Sequence, residues 1–347
     1  MSSDSDTVSY PADVLAAVTS RVLSGLGAPD DLSTLVAKSL VLSNLVGHDS
    51  HGFIRLIEYS GWVDAGQLNP GARPCLSWSK GSTALVDGRW GWGQAAAALG
   101  VAQAIETARE NGAATVVLSR SNHVGRLGEW VDALANAGLM GLAFCNTGGA
   151  AVAPHGGVKR VMGTNPFAWS MPGPDGMNLV LDFSTAMIAA GKVVLAAMSG
   201  GEIPRGVLLD RAGRPTTRAA DLDDGGALLA FGGHKGSGLS ILIEVAAGLL
   251  AGTLPAAISQ SGYGNGTVII AVDVARYTAP DVVAAVSRQF ADVVHASAGT
   301  GTVLLPGELE AKTRAERAVH GISVASGVQR QVAQLAGKLG IDLPEFA

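Results

Sequence analysis

The most chemically loaded stretch of this 347-residue chain is Gly47-His48-Asp49-Ser50-His51-Gly52-Phe53-Ile54-Arg55-Leu56. The His51 imidazole lies four positions before the Arg55 guanidinium, so a helical turn would project both toward one small ligand. Reduction of a 2-oxo acid needs that pair: an imidazolium to protonate the forming alkoxide and a planar fork to grip the carboxylate. A helix end capped by Asp49 or Ser50, with a surface His and Arg, explains the spacing equally well.

Five further segments carry usable groups. Ser121-Asn122-His123-Val124-Gly125-Arg126 falls between a predicted strand and a predicted helix, the end of an open α/β sheet at which ligands bind. A helix N-terminus there offers free N–H groups to an anion, although His123 could also satisfy a backbone carbonyl. Gly232-Gly233-His234-Lys235-Gly236-Ser237-Gly238 precedes an apolar helix and could bring backbone and Lys235 close to a phosphate, but it lacks the Walker A ending. Leu181-Asp182-Phe183-Ser184-Thr185 could cap a helix or hold an imidazole or a ribose hydroxyl. Met162-Gly163-Thr164-Asn165-Pro166 and Leu305-Pro306-Gly307-Glu308 have turn chemistry.

Some chemistries are disfavoured. No G-x-G-x-x-G follows a strand, so a Rossmann nucleotide site is not supported, and no G-x-S-x-G elbow is present. His48, Asp49 and His51 are crowded together without a second ligand cluster, so no metal is expected. With 24 basic and 29 acidic residues, the net charge of −5 gives no broad attraction to nucleic acid or to an anionic membrane. The N-terminal stretch lacks the basic and apolar pattern of a secretory signal, and the apolar segment 239–251 is short and carries Glu244. Cys75 and Cys145 form neither a CxxC pair nor a metal spacing. A cytoplasmic protein is the expectation.

These groups must be held by elements that the periodicity predicts. Helices are expected after Pro11, after Asp30 or Asp31, and at 93–111, 127–137, 186–198, 238–252, 281–296 and 326–340; strands at 113–118, 141–145, 178–183, 267–273 and 302–305. The alternation implies an α/β core with one large mixed sheet and surrounding helices. Residues 1–92 read as a helical N-terminal part carrying the His/Arg motif, 93–300 as the cofactor-binding core, and 301–347 as a segment completing the first part. The loops 146–163 and 204–234 are long and glycine-rich, where sites tend to lie.

Taken in order, Asp49-Ser50-His51-Gly52 with Arg55-Leu56, Asn122-His123-Val124-Gly125, Gly163-Thr164-Asn165-Pro166, Leu181-Asp182-Phe183-Ser184-Thr185 with Gly191-Lys192, Gly233-His234-Lys235-Gly236 with Gly238-Leu239, and Pro306-Gly307-Glu308 span nearly the whole chain. This series resembles the malate/L-lactate dehydrogenase family, which includes sulfolactate and ureidoglycolate dehydrogenases, diketogulonate reductases and cyclic imino acid reductases. The resemblance implies a non-Rossmann α/β fold, a homodimer, and NAD or NADP as cofactor. It implies hydride transfer at C2 of a small 2-oxo or 2-hydroxy acid, or of a cyclic 2-imino acid; a catalytically silent ligand-binding dimer is the rival from another class.

By position, His51 resembles the family's acid/base, Ser50 and Asp182 its relay partners, and Arg55 its carboxylate residue. His123 maps to either a catalytic or a cofactor role. Cofactor contacts map to His123, Val124, Gly125, Arg126 and Leu127, to Leu179, Val180, Leu181, Asp182, Phe183, Ser184 and Thr185, and to His234, Lys235, Gly307 and Glu308. Substrate contacts map to His51, Arg55, Thr147, Thr164 and Asn165. The sequence departs from the family pattern at Gly149, at Ser237 and in a shortened stretch between Gly252 and Thr267.

Overall fold

The computed structural model describes residues 7–198, 200–259 and 263–346, so residues 260–262 of the shortened stretch lie outside the described residues. In chain order the elements are β1 (Thr7–Tyr10), α1 (Ala12–Gly25), α2 (Asp30–Leu45), α3 (Arg55–Asp64), β2 (Cys75–Lys80), β3 (Thr83–Asp87), α4 (Gly93–Asn111), β4 (Ala113–Ser119), α5 (Leu127–Asn136), β5 (Leu139–Thr147), β6 (Val152–Ala153), β7 (Pro166–Pro172) and β8 (Asn178–Ser184). They continue with α6 (Ala190–Met198), β9 (Leu208–Leu209), β10 (Pro215–Thr216), β11 (Ala227–Leu229), α7 (His234–Ala251), β12 (Asn265–Asp273), α8 (Pro280–Ala296), α9 (Glu308–His320), β13 (Ile322–Ala325) and α10 (Ser326–Lys338).

The centre is a seven-stranded sheet ordered β2-β3-β4-β12-β5-β7-β8, in which β3 and β4 run parallel and the other pairs antiparallel. Strand alternation sends side chains to two covered faces. On β4, Ala114, Val116 and Leu118 enter a core shared with α4 and α5, and Val117 turns to the opposite face against α7. On β12, Ile269 and Ala271 join the first core and Val268 the second. The mixed α/β sheet expected from the sequence is the fold that forms.

A second core is built by chain ends. The helices α1, α2 and α3 pack through Leu15, Val22, Val36, Leu40 and Leu56 with Ile322, Val332 and Ala336 from the C-terminal elements, and β1 pairs antiparallel with β13. A third core, around Val152, Val193, Leu208 and Leu228, joins α6 to a small sheet ordered β10-β9-β11-β6. That sheet occupies the two glycine-rich loops.

Several elements differ from the sequence expectation. Residues 302–305 form no strand, because only one backbone bond, from Val180 N–H to the Pro306 carbonyl, links this run to the sheet edge. The helix α9 was not expected, since its side chains are charged and none is buried, leaving no apolar stripe to read. The strands β2, β3 and β7 were also not anticipated, and β2 and β3 bring residues 75–87 of the N-terminal part into the central sheet.

The first residue of α4 lies directly beneath the backbone of the His123 segment. A Cβ on Gly93 would collide with the carbonyl oxygens of Asn122 and His123. The expected outcome of Gly93→Ala is a loss of about 1–3 kcal/mol or more in equilibrium urea unfolding. An unchanged midpoint and slope would show that this close approach is not tight.

Candidate active site

The Asp49–His51 segment is a single 3-10 turn between α2 and α3, clamped from both ends of the chain. The buried Asn44 at the end of α2 accepts the Phe53 N–H through Oδ1 (2.8 Å) and donates to Asp49 Oδ1 (2.6 Å). Arg317 on α9 donates to both Asp49 oxygens (2.7 and 3.0 Å) and to the Asn44 carbonyl (2.5 Å). Asp49 is therefore a salt-bridge partner rather than a helix cap. Any Cβ on Gly52 would collide with the Asn44 amide, so the glycine is a steric requirement of the turn.

His51 ends this turn and Arg55 begins α3. Ser50 Oγ lies 3.0 Å from His51 Nδ1, and the Ser50 carbonyl accepts Arg55 Nε at 2.6 Å. Arg55 also pairs with Glu58 on its own helix. Gly191 in the first turn of α6 packs against Ser50, where a Cβ would stand 2.9 Å from the serine Cβ. The serine is thus held from three sides.

The structure brings His123 to the same place. Its ring stacks on His51 with centroids 5.4 Å apart and planes 28° from parallel. Buried Tyr59, one turn beyond Arg55, sets its Oη 2.7 Å from His123 Nδ1 and accepts Gln94 Nε2 at 2.7 Å. Gln94 donates to the phenol oxygen; when Tyr59 in turn donates to Nδ1, the neutral His123 ring carries its proton on Nε2. Burial pushes the Tyr59 phenol above its ordinary value, which keeps this donor protonated. Neither Tyr59 nor Gln94 was singled out in the sequence; the i, i+4 spacing from Arg55 to Tyr59 was a signal, whereas Gln94 had none.

Asp182 is not a direct partner of His51. Its Oδ2 accepts the Gly128 N–H at the start of α5 (2.6 Å), and burial raises its carboxyl above the usual range. Asn165, a left-handed residue at φ 37°, is fully buried. Its Nδ2 donates to Ser240 Oγ (2.9 Å) and Glu244 Oε1 (3.0 Å), and its Oδ1 accepts the Thr147 N–H (3.2 Å). The Asn165 amide thus braces the loop that carries Thr147 and Thr164. Thr147 and Thr164 remain partly exposed and are linked by a bond from Thr164 N–H to Thr147 Oγ1 (3.0 Å).

The segments expected to hold a cofactor converge on the free edge of β8. Ser184 Oγ and Thr185 N–H donate to the Thr164 carbonyl (2.8 and 3.0 Å), and Phe231 N–H donates to the Thr185 carbonyl (3.0 Å). This joins the end of β8 to the glycine turn that starts α7, where Gly232 and Gly233 take φ of 56° and 61° and His234 and Lys235 are exposed. On the other side Gly307, at φ 97°, approaches so closely that a Cβ would lie 3.0 Å from the Asn178 carbonyl. Glu308 caps back onto Leu305 N–H (2.8 Å) and pairs with His295. Among the described residues there is no group of three or more metal-binding side chains.

Residues 10–333 match the family model described as malate/L-lactate dehydrogenase. The chain belongs to the malate/L-lactate dehydrogenase family. It is 34% identical over 347 residues to hydroxycarboxylate dehydrogenase B of Escherichia coli K12, covering 96% of this chain and 94% of that protein. The malate dehydrogenase structure from Pyrococcus horikoshii superposes with a TM-score of 0.89 at 26% identity, covering 99% and 98% of the two chains. The Δ1-piperideine-2-carboxylate reductase structure from Pseudomonas syringae gives 0.84 at 29% identity, covering 95% and 100%.

In this hydroxyacid dehydrogenase the surroundings of His51 disfavour its charged form. Burial, followed by the positive charges of Arg55, His48 and Arg126, pushes its pKa down to about 3. His123 is also driven well below its ordinary value, first by burial and then by Arg55 and His51. Both shifts favour the uncharged rings, and His51 in that form can accept a proton. With its base form already filled, kcat/KM for hydroxy-acid oxidation is expected to stay flat from about pH 8 to about pH 5. Reduction must draw a proton onto His51, so its kcat/KM should rise roughly tenfold for each unit of acidification. Initial rates in both directions check this, and an oxidation rate that falls through pH 6–7 would show an ordinary histidine.

Proposed function

We propose that this protein is an NAD(P)-dependent dehydrogenase acting at C2 of a small 2-hydroxy acid, and a reductase of the matching 2-oxo acid. The observation that carries the reading is His51, tied to Ser50 and stacked on His123, with Arg55 held against the same serine. Arg55 grips the substrate carboxylate through its outer edge, His51 takes the C2 hydroxyl proton or returns it, and Ser50 orients the ring. His123, with its proton on Nε2, donates a hydrogen bond toward the C2 oxygen. Thr147 and Thr164 line the substrate side.

The edge of β8 fits a nicotinamide dinucleotide. Residues of Asn178–Ser184 are all half-buried along an edge strand, leaving backbone groups available, and exposed Lys235 stands beside two left-handed glycines where a phosphate can approach. Val124, Gly125, Leu127, Leu179 through Thr185, His234, Lys235, Gly307 and Glu308 would hold that cofactor, with either NAD or NADP. When bound, it supplies or accepts the hydride.

Kinship with a piperideine-carboxylate reductase makes a cyclic 2-imino acid the second reading. Both substrates carry the carboxylate that Arg55 would hold, but a protonated imine adds a positive charge beside that guanidinium, whereas a 2-oxo acid adds none. The 2-oxo acid is therefore the first choice. A homodimer is supported by the exposed apolar side chains Ile241, Leu242, Val245, Leu249 and Leu250 on α7, which a second copy would cover. A cytoplasmic location suits the free thiols of Cys75 and Cys145.

A panel of 2-oxo acids and cyclic imino acids, followed by nicotinamide absorbance with both cofactors, tests the reading. The His51→Ala variant should lose roughly 10²–10⁴-fold in turnover on the best substrate while cofactor affinity holds. Near-wild-type turnover would transfer the proton to His123, and turnover of imino acids alone would overturn the 2-oxo acid assignment.

A further inference from the structure

Two stacked imidazoles serving one substrate oxygen cannot play the same part. Each ring has its Nδ1 engaged, His51 with Ser50 Oγ (3.0 Å) and His123 with Tyr59 Oη (2.7 Å), and Nε2 of neither ring has a hydrogen-bond partner among the described residues. A C2 hydroxyl owns one proton and gives it to one nitrogen, so a second imidazole holds the same oxygen as an N–H donor. The pair is complete as one base and one donor. What assigns the donor lies on the far side of His123.

Gln94, the second residue of α4, is fully buried there. Its Nε2 donates to Tyr59 Oη (2.7 Å), which is its one hydrogen bond among the described residues, and its Oε1 is buried without a partner. The phenol oxygen thus receives an N–H from one side and faces an imidazole nitrogen on the other. A phenol has a single O–H, and with Gln94 already donating to the oxygen that O–H is left to donate to Nδ1. Burial of the phenol, which opposes its ionisation, keeps the proton available.

Resting on the reading of His51 and His123 above, we propose that Gln94 is a positioning residue for the reaction: the amide end that it turns to Tyr59 sets the direction of both hydrogen bonds in the chain Gln94, Tyr59, His123, which makes His123 a donor at Nε2 and leaves His51 as the only base. An acceptor at position 94 would reverse the chain. The phenol would donate to that acceptor, His123 would give an Nδ1–H to the phenol, and Nε2 would carry a lone pair instead of a proton. Facing a 2-oxo group, which has only lone pairs to offer, such a ring repels the oxygen whose growing negative charge it should hold.

The test reverses the chain without cutting it. In nitrogen-15 NMR of the ligand-free protein, with His123 assigned by its loss in His123→Gln, wild type should show the Nε2–H tautomer. Gln94→Glu is nearly isosteric and its carboxylate only accepts, so at about pH 8 His123 should move to the Nδ1–H tautomer. Its kcat on the best 2-oxo acid of the panel should fall roughly 10²-fold, the scale of a lost oxyanion donor, with KM within about threefold of wild type. Gln94→Met removes the amide but offers no acceptor, so it should keep the wild-type tautomer and stay within about fivefold in kcat; it serves with the wild-type spectrum if the glutamate variant does not fold. In a Tyr59→Phe background, where the chain is cut, Gln94→Glu should add less than about twofold. An Nδ1–H tautomer in wild type, an unchanged tautomer in Gln94→Glu, or a loss in Gln94→Met as large as that expected of Gln94→Glu would each overturn the proposal. Failure of wild type to reduce any 2-oxo acid, with the tautomers as expected, would instead bring down the underlying reading, so the two failures are distinct.

Discussion

The constraint on which this site depends is the packing of a half-buried histidine against a second imidazole and close to guanidinium charge. His51 loses hydration through packing and then faces Arg55, His48 and Arg126, and each contribution favours the uncharged ring. A neutral imidazole is a base, and a positively biased pocket draws anions. Both properties follow from one arrangement, and they match a reaction whose substrate carries a carboxylate next to the carbon that changes oxidation state.

Holding that arrangement needs elements from distant parts of the chain. Arg317 from α9 fixes Asp49, Asn44 from α2 fixes the turn, Gly191 from α6 backs Ser50, and Gly93 from α4 supports the His123 segment. The N-terminal helices and α10 share one core, so the Asp49–His51 turn between α2 and α3 is stabilised by residues far along the chain. The edge of β8, where the cofactor is proposed to bind, is separately braced by Thr164, Phe231 and Pro306.

Much of this was legible in the sequence because the signals were local. The apolar periods of α4, α5, β4 and β12 marked the central sheet, and the His51-to-Arg55 spacing marked the site. What stayed hidden depended on tertiary contacts. The charged α9 has no buried face, yet it supplies Arg317; Gln94 has no motif, yet it orients Tyr59 and through it His123. Asn165 read as a ligand residue because it stands in a polar turn, while in the fold its side chain closes a buried network with Ser240 and Glu244. The depressed basicity of His51 was hidden for the same reason: spacing shows the nearest guanidinium but not the packing around the ring.

The most direct test of this account is a nitrogen-15 NMR titration of the histidine side chains in the ligand-free protein, with His51 assigned by its loss in a His51→Gln variant. The account predicts that the His51 resonances keep their neutral-imidazole positions from about pH 8 to about pH 5. Conversion to the imidazolium pattern with a midpoint near the ordinary histidine value would contradict it.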